Sequence, residues 1–125
     1  MLARELSESV QKMYLSIKAE PTEGLFVAQK FNGKYCFIKE TGELAFEGEF
    51  DSITPFSEGL AAVVANDESY HIKLDGTPAY RSRFYDVSPF NNGVAWACKH
   101  GSDLWVKINK SGDFLTDWIP GYEIW

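Results

Sequence analysis

Cysteine and histidine are scarce, two of each in 125 residues, and that scarcity excludes several functions at once. Cys36 and Cys98 are too few for a disulfide framework, and their spacing matches no zinc motif. Both read as small buried hydrophobes in a reducing compartment. No apolar run approaches the ~20 residues of a membrane span. Met1 to Glu8 also lacks the apolar core of a secretory leader, so the expected address is the cytoplasm. Cations are short as well: 12 Lys and Arg face 18 Asp and Glu, a formal charge of −6. Clustered cations are what bind a phosphate backbone, so nucleic acid is not an expected partner. The same field favours a basic protein. Glycine-rich phosphate loops, serine nucleophile elbows and metal-binding helices are missing, which leaves no expected metal, cofactor or catalytic set.

Aromatics, by contrast, are abundant. Nine Phe, six Tyr and four Trp make up 15% of the chain, and such side chains favour pleated surfaces. The length suits one domain. Its first part, residues 1–20, reads differently from the rest. Leu2, Leu6, Val10, Met13 and Ile17, widened by Tyr14, form one stripe at helical period, predicting an amphipathic helix over 2–19 that Pro21 closes. Such a helix would dock on the core or cover a sheet edge.

Beyond Pro21 the helical period gives way to internal repetition. Gly24-Leu25-Phe26-Val27-Ala28 recurs at Gly59-Leu60-Ala61-Ala62-Val63 and at Gly93-Val94-Ala95-Trp96-Ala97. Gly42, Gly76 and Gly112 form a second series, each four residues after an Ile (Ile38, Ile72, Ile108). Phe50 to Gly59 is matched by Phe84 to Gly93, and a third copy is cut short at Tyr122 to Trp125. Several columns sharing one period of 34 to 36 residues divide the chain into three units, 24–58, 59–92 and 93–125.

Each unit reads as about three short antiparallel strands. The first follows the leading glycine (Leu60 to Ala65). The second runs to the turn glycine (Lys34 to Lys39, Tyr70 to Leu74, Leu104 to Ile108). The third is expected over Leu44 to Phe50 and Ala79 to Tyr85. First strands are apolar on both faces and so should be central; Trp96, in phase with Val94 and Cys98, should be core. A unit of this size cannot bury its own apolar face, so the units must pack on one another. The expected fold is mainly β: an antiparallel β-meander repeat assembly with one N-terminal amphipathic α-helix. Three units argue against a closed propeller, which needs at least four blades.

Phe56-Ser57-Glu58-Gly59-Leu60-Ala61, its copy Phe90-Asn91-Asn92-Gly93-Val94-Ala95, and the three Ile/Gly pairs resemble the WG-repeat family, found widely in bacterial proteins. The resemblance covers about residues 22–125. It implies β-rich repeats that serve as binding or scaffolding modules, with no shared catalytic residues.

Candidate sites follow from the residues alone. Glu40, Glu43, Glu47, Glu49, Asp51 and Glu58 cluster where 40–58 holds no Lys or Arg, a docking patch for a basic partner or a solvated strand face. All four Trp fall in the last thirty residues; Trp105, Tyr122 and Trp125 could stack on a sugar or anchor a protein. Trp105 could instead be covered by the N-terminal helix, the reading the sequence favours. Cys98 and His100 pair a thiol with an imidazole, but residues 99–103 read as a turn that spoils a nucleophile–base geometry. The functional expectation is a non-enzymatic protein–protein interaction module, in one version a small acidic inhibitor or immunity-type protein facing a basic partner. The alternative is a small-ligand or carbohydrate-binding domain built on the aromatics of the third unit.

Overall fold

Short alternating runs between glycine turns leave little room for long elements, and the strands that form are brief. The computed structural model describes residues 1–124. In chain order they are α1 (Glu8–Lys12), β1 (Ser16–Ile17), β2 (Phe26–Gln29), β3 (Tyr35–Ile38), β4 (Ser52–Ile53), β5 (Leu60–Ala65), β6 (Glu68–Lys73), β7 (Asp86–Val87), β8 (Ala95–Cys98), β9 (Leu104–Ile108) and β10 (Ile119–Pro120). Single 3-10 turns occur at Ala3–Glu5 and Gly121–Glu123. The protein is mainly β, in three antiparallel sheets ordered β1-β2-β3, β4-β5-β6 and β7-β8-β9-β10, with no closed barrel among the described residues. As expected, each unit's first strand (β2, β5, β8) is flanked on both sides. No helix of the described residues is long and apolar enough to cross a membrane.

The sheets are offset from the sequence units. β4 and β7 end the first and second units in sequence, yet each pairs with the central strand of the next. One unit thus hands its last segment to its neighbour. The N-terminal segment does the same for the first sheet, and this overturns the helix over 2–19. Ser7 caps α1 by accepting from the Val10 N–H, and the helix stops at Lys12. Leu15 and Lys18 then donate to β2 carbonyls while Ser16 and Ile17 pair with Gln29 and Ala28. The edge of β2 would otherwise be left open, and a helix this short gains little from its own hydrogen bonds. Val10 and Tyr14 are buried, whereas Met13, on the predicted stripe, is exposed.

The third strands also differ from expectation. The backbone of segment 44–50 pairs with β3 only at its ends, Leu44 opposite Ile38 and Phe50 opposite Tyr35. Six residue steps on one side face three on the other, so the middle must bulge away from the ladder. The second unit repeats this: Pro78 opposes Ile72 and Phe84 opposes Ser69.

Side chains alternate between a near face and a far face of each sheet, and the cores lie between sheets. Phe37, Leu25 and Val27 on the far face of the first sheet meet Ala61, Val63 and Ile72 on the near face of the second. Leu60 of the second meets Ala95, Ala97, Val106 and Ile108 of the third. Ala3, Leu6, Val10 and Tyr14 cover the near face of the first sheet, made by Phe26, Ala28, Cys36 and Ile38. Trp96 is therefore not core: it lies partly exposed on the far face of the last sheet.

Turn glycines complete these seams. Gly76 packs so closely on the Phe46 ring, and Gly112 on Tyr80, that a Cβ at either position would collide. Gly42 meets Val10 in the same way, so the N-terminal segment stands in for a preceding unit. All three glycines have φ between 81° and 90°, which other residues adopt only under strain.

Candidate functional site

The loops that join the first two strands of each sheet (β1–β2, β4–β5 and β7–β8) carry a ladder of side chains that the sequence did not disclose. Glu23 and Glu58 sit at equivalent positions with φ of 48° and 57°, one residue before Gly24 and Gly59. Glu23 accepts from the Gly59 N–H (2.9 Å), and Glu58 accepts from those of Asn92 (2.5 Å) and Gly93 (2.8 Å). Thr22 accepts from the Phe56 N–H, and Ser57 donates to the Phe90 carbonyl. Each connector thus fastens the next. The Gly93 N–H is the main reason the Glu58 carboxyl is held below its ordinary range.

This divides the six acidic candidates into two groups. Glu58 serves the ladder and lies 3.5 Å from Lys110 Nζ. Glu49 accepts from Lys30 Nζ (2.7 Å) and Asn32 (3.2 Å), and the Lys30 bond lowers its pKa. Asp51 is bound by Lys34, which lowers its pKa, and by the Asn66 N–H (3.3 Å). Lys30 and Lys34 lie before the acidic stretch in sequence and Lys110 far after it, so counting cations within 40–58 could not find them. Glu40, Glu43 and Glu47 remain exposed with no cation paired to them among the described residues. Beside them stand Leu44, 40% exposed, and Met13, 55% exposed, whose Sδ packs at Gly42.

Trp105 and Tyr122 lie towards one end of the third sheet. Trp105 on β9 is partly buried, and its indole N–H donates to Asp103 (3.2 Å). The N-terminal segment does not reach it, because that segment packs on the first sheet. Tyr122 is 79% exposed in the turn that follows β10, and Gly121 donates to the Asp103 carbonyl (2.8 Å). Trp125 lies outside the described residues.

Two groups with chemical potential are committed to structure. Cys98 is buried with its thiol directed at the Lys99 and Ser102 carbonyls, and burial pushes its pKa up. His100 stands on the exposed turn beside Tyr85, so the pair forms no nucleophile–base contact. Burial likewise raises the Cys36 thiol pKa. Among the described residues no group of three His, Cys, Asp or Glu is placed to hold a metal ion.

Sequence reasoning passed over His71, which is fully buried. Its Nε2 faces the Ser88 carbonyl (2.8 Å) and its Nδ1 the Tyr80 hydroxyl (2.6 Å). A carbonyl can only accept, so Nε2 carries the proton and Tyr80 donates to Nδ1. Burial depresses the His71 pKa to about 4 and raises that of Tyr80. Phe37 and Phe46 hold these positions in the first unit, so the second replaces an aromatic pair by a hydrogen-bonded one. The ring of His71 packs on Phe90 (4.5 Å) as Phe37 does on Phe56 (4.6 Å).

Comparison with known proteins adds three findings. The model of the "WG containing repeat" family matches residues 37–68 and 72–102, together half of the chain. A solved structure, the WD40 beta propeller domain of Doa1, aligns with TM-score 0.42 and 14% identity over 82% of this chain and 38% of that one. No curated protein sequence matches the chain.

Proposed function

Starting from a chain that belongs to the WG containing repeat family, we propose a non-enzymatic protein–protein interaction module, specifically a small acidic inhibitor or immunity-type protein that binds a basic partner. The observation that carries this reading is the division among the acids. Glu49, Asp51 and Glu58 are paired with groups of the chain itself, whereas Glu40, Glu43 and Glu47 are exposed without a paired cation among the described residues, in the segment that carries the exposed Leu44 and the Gly42 on which Met13 packs. Unneutralised acids in a segment that also exposes apolar side chains steer an oppositely charged partner and give it something to bury. The formal charge of −6 adds a long-range field of the same sign, which opposes a nucleic-acid backbone. Two unpaired, buried cysteines agree with a reducing compartment, the cytoplasm. A small-ligand site on Trp105 and Tyr122 has less support, because Asp103 already takes the Trp105 indole N–H.

The test is capture from cell lysate by the wild-type chain and by the Glu40→Gln/Glu43→Gln/Glu47→Gln variant. A basic protein should be retained by the first, lost from the second, and released by added salt. Equal capture by both chains, or binding indifferent to salt, would refute the acidic-patch reading.

A further inference from the structure

The tips of the two seams differ in chemistry although the backbone repeats. Phe50 opposes Tyr35 as Phe84 opposes Ser69. Asp51 and Tyr85, which follow the two phenylalanines, are therefore equivalent, and so are Lys34 and Glu68, which precede their partners. At the first seam Lys34 binds Asp51, and the Asn66 N–H donates to the same carboxylate (3.3 Å). That seam supplies its own cation. At the second, Glu68 and Tyr85 stand in those places. The arginine of this segment is committed to its own loop: Arg83 lies over the Tyr70 ring (3.9 Å), and its Nη1 donates to the Tyr80, Arg81 and Ser82 carbonyls.

Between the second and third sheets this leaves an open cleft of about 460 Å³ lined by Val64, Asp67, Ser69, Tyr85, Asp86 and His100. We propose that the cleft binds a guanidinium group, presented as an arginine side chain of a partner polypeptide.

Local structure sets each wall. β5 and β6 are joined by the two-residue turn Asn66-Asp67, with φ of 53° and 62°, and this turn brings Asp67 to the cleft. The Tyr85 backbone is held from both sheets: its carbonyl accepts from Ser69 Oγ (3.0 Å) and its N–H donates to the Cys98 carbonyl (2.9 Å). The Tyr85 residue is nevertheless 63% exposed, with the His100 ring 6.1 Å away and inclined at 75°. Asp67 and Asp86 have no paired cation among the described residues. Lys99, next to His100, has its Nζ 5.9 Å from the Trp118 ring.

An exposed tyrosine ring and two carboxylates around one cleft match what separates arginine from lysine. A flat guanidinium stacks on a ring while its edge donates to carboxylate oxygens, whereas an ammonium is a point charge. The Tyr85 backbone is fixed before binding, which keeps the ordering cost low.

Titration of the isotope-labelled full chain with N-acetyl-arginine methylamide, followed by its NMR amide resonances, tests the proposal. Saturable shifts should centre on the residues that line the cleft. The lysine analogue, and the arginine probe on Tyr85→Ala, should each bind roughly threefold more weakly. Asp67→Asn/Asp86→Asn should weaken arginine binding by roughly fivefold. Resonances that stay in place away from the cleft show that the variants fold. No shift at the cleft, equal binding of the two analogues, or a double variant that binds like the wild type would each overturn the proposal. So would tighter binding of free L-arginine than of the blocked residue, which would make the ligand a small molecule. The Glu40→Gln/Glu43→Gln/Glu47→Gln variant should titrate like the wild type, so this site stands or falls apart from the acidic segment of the first unit.

Discussion

The choice between a phenyl ring and an imidazole at one buried position decides how the protein responds to acid. His71 is neutral in the fold, with a pKa near 4, against an ordinary value of 6.5. An unfolded chain takes up a proton below pH 6.5 and the folded chain does not, so stability is complete above that value. It falls as pH drops from about 6.5 towards 4, by about 3 kcal/mol at most. Replacing the pair by that of the first unit, His71→Phe with Tyr80→Phe, should keep the fold and remove this component. Urea midpoints at pH 7 and pH 4.5 measure it: the wild type should lose more between the two than the double variant. Equal losses would contradict the account. Nothing in the sequence could announce this network. The column reads Phe37, His71, Lys107, and only the fold brings Tyr80 and the Ser88 carbonyl to the two ring nitrogens.

At the level of elements, glycines with the same backbone angle have different roles. Gly59 and Gly76 both have φ near 85°, but space is open beside Gly59 while Phe46 fills it beside Gly76. Gly59→Ala should therefore cost only the backbone term, about 1 kcal/mol. Gly76→Ala should cost that plus a displaced ring, in total about 2–4 kcal/mol. Chemical denaturation of the two variants compares them directly; equal costs would mean that the seam does not depend on this contact. The period of the turn glycines, and the central place of strands such as β5, were legible because both follow from local chemistry. The extent of the helix was not. Val10 and Ile17 obey a helical period, yet Ile17 pairs with Ala28 because the open edge of β2 outweighs the pattern. The bulge in 44–50 was hidden for a related reason, since it depends on a count of residues across two segments. Of the candidate site, the acids were visible but not their partners: Lys30, Lys34 and Lys110 reach them only through the fold.

For the whole molecule, stability resides between the sheets more than within them. Strands of two to six residues cannot sustain a sheet alone. Each of the first two sheets instead lends a carboxylate to the next, Glu23 to Gly59 and Glu58 to Gly93, and aromatic rings fill the seams between sheets. Phe56 is one such ring, buried against Phe37 in the core between the first two sheets and no part of the core between the second and third. If the three sheets stand only together, weakening that seam must loosen all of them. Hydrogen exchange in wild type and Phe56→Ala decides the matter. Amides of β8 and β9 should lose protection by the same factor as those of β2 and β3. Loss confined to the first two sheets, with β8 and β9 unchanged, would show that the third is stable by itself.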